Sequence, residues 1–277
     1  MIAVTPMAGA LGAEVHGIDL SSGLDPSTTA EIRRLLVEHE VIFFRDQDIT
    51  AGQQRALALS LGPVQTHPAY ATVDGYPEIT ILESTAEKPT RIEAWHTDMT
   101  FREHPPMATI LRAVVTPDRG GDTLWASASA AYEALSSEMQ AFLGGLAAVH
   151  DFSHGFRESL AEPGGRERLA DAVAANPPVR HPVVRTHPES GKKILYVNSL
   201  FTTHIEGVHP RESDAILATL DSSIDGTFTV ELEFTTPAKL NQEWNLQLEL
   251  EDGSGGEIQM AFRYRYLFLR NEANTRW

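Results

Sequence analysis

Apolar residues recur at helical spacing near the start of the chain. Within "LDPSTTAEIRRLLVEHE", Ile32, Leu35 and Leu36 share one face, and Ser27 or Thr28 is placed to cap the first turn, so the pattern predicts an amphipathic helix. The short apolar run "VIFFR" follows and is typical of a buried strand. A second helix is predicted over "ITAGQQRALALSLG", with a threonine cap at its start and a glycine at its end.

Strand patterns dominate the middle of the chain. Short apolar or alternating runs in "EITIL", "MATILRAVV" and "DTLWA" predict strands, and "HPVVRTHPESGKKILYV" predicts a hairpin that turns at "PESGK". Helical spacing returns in "SAAYEALSSEMQAFLGGL" and in "HPRESDAILATLDSS". The middle of the chain is therefore predicted to mix strands with helices.

The end of the chain has the pattern of strands alone. "WNLQLEL" alternates, "EDGSGGE" is typical of a turn, and "EIQMAFRYRYLFLR" alternates again. One face of the last run carries Ile258, Met260, Phe262, Tyr264, Tyr266 and Phe268. Many short strands with interspersed helices predict an α+β, mainly β fold, with an antiparallel double sheet such as a jelly roll flanked by helices. No linker-like stretch marks a boundary, so residues 1–277 are predicted to form one domain.

Composition and charge narrow the class of protein. A hydrophobic content of 42% and a charged content of 22% are typical of a soluble globular chain, and there is no apolar run long enough to span a membrane. The N-terminus lacks the pattern of a signal peptide, and the absence of cysteine excludes disulfides and thiolate metal sites, which favours a cytoplasmic location. A net charge of -16 argues against nucleic-acid binding.

The stretch "EAWHTDMTF" places His96 and Asp98 two residues apart. On a strand or at a strand end, both side chains would point to the same side. An imidazole and a carboxylate so placed can occupy two adjacent positions on a metal, and one further protein ligand would complete the 2-His-1-carboxylate triad that binds Fe(II) in oxygenases. An H-x-D pair alone is a weak signal, because chance pairs are expected in a chain with 11 histidines and 38 acidic residues.

The neighbouring residues strengthen that signal. The blocks "EIRRLLVEHEVIFFRDQ", "LGPVQTHPAY", "WHTDMTFREHPP", "ILRAVVTPDRGGDTLWAS", "HDFSHGF", "NPPVRHPVVRTHPESGKKILYVN" and "FTTHIEGV" occur in this order over about residues 1–220. In this respect the chain resembles the taurine dioxygenase family of Fe(II)- and 2-oxoglutarate-dependent dioxygenases. The resemblance implies a double-stranded β-helix, which is a jelly roll, and an oxidative decarboxylation of 2-oxoglutarate coupled to hydroxylation of a substrate C–H bond.

The resemblance also implies roles for single residues. His96 and Asp98 match the first two iron ligands, and Thr123 matches the threonine that binds a carboxylate of 2-oxoglutarate. The residues that match a pocket for the substrate sulfonate are His67, Tyr70 and Phe156. An imidazole and a phenol are suitable donors to sulfonate oxygens. Without the resemblance, these three would be interpreted as a loop histidine and two packing aromatics. Family members are commonly dimers or tetramers, so a homo-oligomer is expected.

Two departures from the family pattern limit what the resemblance implies. Taurine-specific members carry an asparagine shortly before the H-x-D, whereas this chain has Ile92, which leaves longer alkyl sulfonates, alkyl sulfates and other small organic acids open as substrates. The last histidine is His209, so the distal histidine and arginine motif of the family is not found. The family's usual interval after His96 leads to Asp252 and Arg263, but Asp252 lies in a turn signature where aspartate is common for backbone reasons.

Upstream histidines offer few alternatives for the third ligand. His150 and His154 are spaced so that both would lie on one face of a helix, which suits metals. They fall, however, in a block where the family has no ligand. The other histidines of hairpins and loops are interpreted as ordinary surface residues; they are His181, His187, His204 and His209.

Two functions follow from these observations. The favoured one is an Fe(II)- and 2-oxoglutarate-dependent dioxygenase that uses O2 to hydroxylate a small, taurine-like organic sulfonate and releases sulfite, with succinate and CO2 as co-products. The alternative is an inactive family member that binds a small anion through His67 and Tyr70, or a dioxygenase of alkyl sulfates or other small organic acids. Neither hypothesis involves nucleic acid or a membrane.

Overall fold

The computed structural model describes residues 1–7, 10–85, 94–115, 123–225, 231–234 and 246–249, the last two ranges by their backbone. In chain order, the described elements are β1 (Ala3–Pro6), β2 (Ala13–His16), α1 (Pro26–His39), β3 (Ile42–Phe43), α2 (Ala51–Leu61), β4 (Thr72–Val73), β5 (Tyr76–Thr80), α3 (Ala128–Glu133), α4 (Ser137–Leu143), β6 (Ala147–His150), α5 (Phe152–Gly155), α6 (Arg157–Ala161), α7 (Gly165–Arg168), α8 (Ala170–Ala175), β7 (Val179–Pro182), β8 (Val184–Thr186), β9 (Lys193–Leu195), β10 (Thr202–Ile205), α9 (Pro210–Asp225), β11 (Glu231–Phe234) and β12 (Leu246–Glu249).

Helix α1 has the predicted apolar face but a different cap. Ile32, Leu35 and Leu36 are buried, as the spacing predicts. The predicted cap at Ser27 or Thr28 is wrong, because the side chain of Asp25 accepts the backbone N–H groups of both residues at 2.8 and 3.0 Å. The helix starts one residue after Asp25, at a proline, whose fixed φ and missing N–H suit the first helical position.

Helix α2 begins and ends as predicted. The Thr50 hydroxyl accepts the backbone N–H of Gln53, and the Gln53 side chain accepts the Thr50 backbone N–H, which is a capping box. Gly62 follows the last helical residue. Leu57 and Leu61 of this helix join the apolar face of α1 in one cluster with residues of the β1-β2-β3 sheet.

A second core lies between the hairpin, the central sheet and α9. β6 pairs antiparallel with β7 and with β10, and the predicted hairpin is confirmed as β8 and β9, with Val184 opposite Leu195. Leu143, Leu195 and Leu220 are completely buried in this cluster. A fully buried leucine contributes about 1.5–3 kcal/mol to the free energy of unfolding relative to an exposed one. These three leucines therefore stabilise the packing of the hairpin, the sheet and α9.

Three other predictions differ from the structure. Within the described residues, 107–115 and 123–126 are not assigned to strands, because an apolar pattern does not supply the partner strand that a ladder requires. The helix predicted over residues 129–146 is two helices, α3 and α4. The second starts separately because the Ser136 hydroxyl accepts the N–H of Met139 and caps a new turn.

The described part of the chain is a mixture of small sheets and helices, and its strands do not close into a barrel. In the tail, β11 and β12 pair antiparallel, with Glu231 opposite Glu249, and β12 overlaps the strand predicted over "WNLQLEL". The strand predicted over "EIQMAFRYRYLFLR" lies outside the described residues. Among the described helices, none combines the length and apolar character that crossing a membrane requires.

Candidate active site

The H-x-D pair converges in a turn. His96 Nε2 lies 3.1 Å from Asp98 Oδ1, although the pair is not in a strand, so the predicted geometry is right and the predicted reason for it is wrong. The chain reverses just after the carboxylate: Met99 has a φ of 55°, and the N–H of Arg102 donates to the Met99 carbonyl at 3.0 Å. The two side chains therefore lie on the same side without the alternation of a strand, immediately before a turn.

The orientation of the His96 ring is fixed by a backbone carbonyl and by an aromatic ring. Its Nδ1 lies 2.9 Å from the carbonyl oxygen of Ala94, which directs Nε2 towards Asp98. The Phe201 ring stands edge-on to it, with 6.2 Å between the ring centroids. A hydrogen bond at one imidazole nitrogen fixes the ring orientation and leaves the other nitrogen for a metal. The His96 side chain is 7% exposed and that of Asp98 is 36% exposed, so the carboxylate faces the open side.

The three residues predicted to form a substrate pocket lie together. The ring centroids of His67 and Tyr70 are 4.7 Å apart, and Phe156 lies 5.7 Å from His67 and 5.9 Å from Tyr70. Phe101 and Phe201 line the same cluster, at 6.4 Å from His67 and 6.3 Å from Phe156. The result is a cluster of aromatic rings with few polar groups, at the place where the substrate pocket is predicted.

The loop that carries this pocket is tied to the H-x-D turn. The Arg102 guanidinium donates to the Gln65 side-chain oxygen at 2.8 Å and to the Thr66 carbonyl at 3.0 Å. The backbone N–H of Ala69 donates to His67 Nδ1 at 3.2 Å. In a neutral imidazole, an accepting Nδ1 leaves the proton on Nε2, so His67 Nε2 is a donor.

Burial and Asp98 shape the electrostatics of the pocket. Burial lowers the pKa of His67 to about 4. The Asp98 carboxylate has a smaller effect in the upward direction, and Arg102 adds to the lowering. Burial and the same carboxylate raise the pKa of Tyr70 to about 12. Both groups are therefore neutral at pH 7. Asp98 acts on both pKa values, and the Phe201 ring lies next to both His96 and Phe156, so the H-x-D pair adjoins the aromatic cluster.

Thr123 is a buried polar residue with an unused hydroxyl. Its side chain is completely buried, and its Oγ1 has no hydrogen-bond partner among the described residues. Leaving such a group unpaired costs about 1–3 kcal/mol, so a ligand that hydrogen-bonds to it would recover that free energy. The orphaned hydroxyl fits a carboxylate oxygen of a small acid.

Two of the three expected metal ligands, the predicted pair His96 and Asp98, lie among the described residues. Within them, no group of three or more His, Asp or Glu side chains is placed to hold a metal. Asp252, Arg263 and Ile92 lie outside the described residues. The donor types at His96 and Asp98, and the orientation of His96 by a backbone carbonyl, fit an Fe(II) site, and Thr123 fits its co-substrate.

The interpretation of the upstream histidines needs correction. His150 ends β6 and His154 lies in α5, so they do not share a helical face. His181 is not a surface residue: it is 5% exposed, and burial lowers its pKa. Its position on β7 opposite Ala148 turns it inward. His204 and His209 are exposed, as expected.

Sequence reasoning missed two aromatic residues of the site. Phe101 follows the H-x-D pair directly in "HTDMTF", and Phe201 starts the block "FTTHIEGV". They are 1% and 2% exposed and stand edge-on to each other at 5.1 Å. Their only signal was their place within the matching blocks, and an apolar residue there is more often ordinary core.

Comparison with known proteins identifies the family. The model of the taurine catabolism dioxygenase TauD, TfdA family matches residues 3–236. The chain belongs to this family. An alpha-ketoglutarate-dependent sulfate ester dioxygenase of Pseudomonas putida is 37% identical over 80% of this chain and 74% of its own length. An alkylsulfatase of Acinetobacter baylyi is 40% identical over 70% of this chain and 62% of its own length.

Solved structures agree with the family assignment. A crystal structure of a taurine dioxygenase from Burkholderia xenovorans is 38% identical, covers 80% of this chain and 73% of its own, and superposes with a TM-score of 0.64. The predicted resemblance is therefore confirmed. So are the enzyme class, a 2-oxoglutarate-dependent dioxygenase, and the cofactors of that class, Fe(II) and 2-oxoglutarate.

Proposed function

We propose that this family member hydroxylates a small organic sulfonate at the carbon next to sulfur. The observation that carries the proposal is that the rings of His67, Tyr70 and Phe156 lie together and that Phe201 joins them to His96 of the H-x-D pair. A sulfonate bound at the donors of this pocket would place its adjacent C–H bond towards the H-x-D pair. Orientation of this kind is a large part of what an enzyme contributes to rate.

Each residue has a role that follows from its chemistry. His96 and Asp98 would hold Fe(II), together with a third group, and Thr123 would donate to a carboxylate of 2-oxoglutarate. When bound, iron and 2-oxoglutarate supply the oxidation of the substrate C–H bond by O2. His67 Nε2–H and the Tyr70 hydroxyl would donate to two sulfonate oxygens, and Phe156 would exclude water from the alkyl chain.

The overall reaction is balanced by the known co-products of this class. The sulfonate R–CH2–SO3⁻, 2-oxoglutarate and O2 give R–CH(OH)–SO3⁻, succinate and CO2. The hydroxylated carbon then loses its C–S bond: the hydroxyl proton leaves, the carbon becomes an aldehyde, and sulfite departs with the electron pair. Recognition by the neutral His67 and Tyr70 depends on hydrogen bonds rather than on a full positive charge, so other small organic acids would bind more weakly where they lack three acceptor oxygens.

A second substrate class has a specific observation in its favour. The relatives that are 37% and 40% identical are named for sulfate esters and alkyl sulfates. An alkyl sulfate presents the same three terminal oxygens to the pocket as a sulfonate, with an ester oxygen between sulfur and carbon. Hydroxylation of its carbon would release sulfate instead of sulfite, so the product distinguishes the two.

The remaining features of the chain are proposed from family membership. They are a jelly-roll core of double-stranded β-helix type, a homo-oligomer, either a dimer or a tetramer, and a cytoplasmic location. The matches to solved taurine dioxygenases support the jelly roll. Each of the other two rests on resemblance alone.

The deciding experiment has a binding step and a product step. Anaerobic titration of the protein with Fe(II) and 2-oxoglutarate should develop the visible charge-transfer band of the chelate, and His96→Ala should abolish it while His204→Ala, at an exposed histidine, should not. With O2 and a series of alkyl sulfonates and alkyl sulfates, sulfite release supports the sulfonate reaction and sulfate release supports the second class. A folded protein that forms no band and still binds sulfonates would be a non-catalytic anion-binding member.

A further inference from the structure

A network of buried hydrogen bonds lies directly behind the H-x-D turn. Thr100, two residues after Asp98, is 1% exposed, and its Oγ1 lies 2.9 Å from Nδ1 of His150. The Asn198 amide donates to the same hydroxyl at 3.2 Å. His150 is completely buried and Asn198 is 2% exposed, so neither has water as an alternative partner. The Thr100 side chain is therefore fixed by two different parts of the chain.

The backbone of the turn is held by a second histidine. His181 Nε2 lies 2.9 Å from the Thr100 carbonyl oxygen and 3.0 Å from that of Arg102. The His181 ring stands edge-on to that of His150, with 5.2 Å between the centroids. His150 and His181 lie on the paired strands β6 and β7. The sheet therefore contacts the turn both at the Thr100 side chain and at the carbonyls of Thr100 and Arg102.

The turn needs such support because of its backbone conformation. Met99, between Asp98 and Thr100, has a φ of 55° and is 6% exposed. A non-glycine residue in the left-handed region is strained by about 1–3 kcal/mol and persists only where its surroundings over-determine it. Because His96 and Asp98 both precede Met99, relaxation of Met99 to a negative φ would move the pair as a unit relative to Thr100 and to the residues that hold Thr100.

The same network reaches the wall of the aromatic pocket. Asn198 Oδ1 accepts the backbone N–H of Phe201 at 2.8 Å, and the Phe201 ring stands edge-on to His96. One amide side chain thus fixes both the turn that carries Asp98 and the ring that packs against His96. This arrangement links the geometry of the H-x-D pair to that of the pocket.

We propose that Thr100, Asn198, His150 and His181 are positioning residues, which hold the strained Met99 turn and so fix the H-x-D pair in place relative to strands β6 and β7 and to the Phe201 ring. Loss of the Thr100 hydroxyl would loosen the turn without removing a ligand. The consequence for metal affinity rests on the proposed function, whereas the consequence for the turn does not. Removal of an outer partner of a metal ligand typically weakens metal binding about 10- to 100-fold.

The test compares Thr100→Val, which removes the hydroxyl at nearly constant shape, with Thr100→Ser, which keeps it. The matched control is Ser213→Ala, because the Ser213 hydroxyl is equally buried and accepts the Ile205 N–H at 2.8 Å in another part of the fold. In metal-free protein, hydrogen–deuterium exchange of peptides covering residues 95–103 should be faster in Thr100→Val and unchanged in Ser213→Ala. Anaerobic Fe(II) titration should give a dissociation constant about 10- to 100-fold higher in Thr100→Val, with recovery in Thr100→Ser.

The outcomes separate the two levels of the proposal. Unchanged exchange over residues 95–103 in Thr100→Val would overturn the positioning role. Faster exchange in a protein whose unmodified form binds no Fe(II) would support the role in the turn and contradict the proposed function instead. Faster exchange with unchanged Fe(II) affinity would overturn the link to Asp98. If Thr100→Val does not fold, Thr100→Ala removes the same hydroxyl without the buried methyl groups and is measured in its place.

Discussion

Two groups of polar side chains differ in how their hydrogen bonds are used. Behind the turn, Thr100, His150 and Asn198 bond to one another. In the second group, the buried Thr123 hydroxyl has no partner among the described residues, and none of the described hydrogen bonds uses the hydroxyl of the partly exposed Tyr70. Buried groups bonded to each other hold a geometry, whereas buried groups without a protein partner are the ones available to a ligand.

The H-x-D pair shares features of both groups. His96 is bonded through Nδ1 to a backbone carbonyl and faces Asp98 through Nε2. Asp98 is the more exposed partner, and it acts on the pKa values of His67 and Tyr70 in the pocket. Substitutions in the two groups should therefore have different effects. Those at Thr100 or Asn198 should change the mobility of the turn, and those at Thr123 or Tyr70 should change ligand binding.

The largest effect is expected at the pair itself. Asp98→Ala removes a proposed ligand, so Fe(II) affinity should fall by more than the about 10- to 100-fold that loss of an outer partner costs. The charge-transfer band with 2-oxoglutarate and the turnover should both disappear. Asp74→Ala, which removes a carboxylate from the exposed surface, is the control. Retention of the band in Asp98→Ala would show that Asp98 is not a ligand.

Thr123→Val tests the buried hydroxyl that has no partner among the described residues. A hydrogen bond to a charged group contributes about 1.5–3 kcal/mol, so the dissociation constant of 2-oxoglutarate should rise about 10- to 150-fold. The stability of the ligand-free protein should be equal or higher, because an unpaired buried hydroxyl is removed. Both quantities are measured, by anaerobic titration and by denaturant unfolding.

Thr203→Val provides the opposite pattern as a control. The Thr203 hydroxyl donates to the Val149 carbonyl at 3.1 Å, so its loss should lower stability and leave 2-oxoglutarate binding unchanged. If Thr123→Val instead lowered stability and left the co-substrate affinity intact, the hydroxyl would have a structural role. Thr123 would then belong with the bonded residues and not with the groups available to a ligand.

The lowered pKa of His67 predicts a pH dependence of stability. In the metal-free protein this pKa is about 4, below the ordinary value of 6.5, so the unfolded chain binds the proton more tightly. The contribution is fully present above pH 6.5 and is lost as the pH falls towards 4. At pH 5, His67 alone should lower the free energy of unfolding by at most about 2 kcal/mol relative to its value above pH 6.5.

His67→Gln should reduce this loss, since glutamine does not titrate. Denaturant unfolding at pH 7 and pH 5 measures the change for both proteins, and contributions of other groups cancel in the difference. His204→Gln, at an exposed histidine, should leave the pH dependence as it is. Equal pH dependence in His67→Gln and the unmodified protein would mean that His67 is not buried as described.

The sequence predicted single helices, caps and turns better than it predicted the contacts between distant elements. Periodicity and caps predicted α2 and the apolar face of α1 correctly, and the turn signal in "PESGK" predicted the hairpin. The capping role of Asp25 was missed because a serine and a threonine next to it offered the same chemistry. Such choices depend on the position of the proline and not on the residue type.

The site was predicted by resemblance more than by pattern. Spacing drew attention to His96 and Asp98, but the pocket formed by His67, Tyr70 and Phe156 joins residues far apart in the chain, which no periodicity connects. The burial of His181 was missed for the same reason, because it follows from the pairing of β7 with β6. The pairing of strands that are distant in the chain decides which histidines are buried. The pattern of residues in a single sequence does not show which strands pair.

The smallest effect is expected for Tyr70→Phe, which removes only the pocket hydroxyl. Tyr70 is 37% exposed, so water competes for the hydrogen bond to the substrate. We therefore expect a loss of about 1 kcal/mol, or about a fivefold rise in KM for a sulfonate, with the 2-oxoglutarate affinity unchanged. Tyr132→Phe, in the core cluster behind the site, is the control. Because the ring remains, a rise in KM would assign the donor role to the hydroxyl, while an unchanged KM would reduce Tyr70 to an aromatic wall and leave His67 as the proposed donor to the anion.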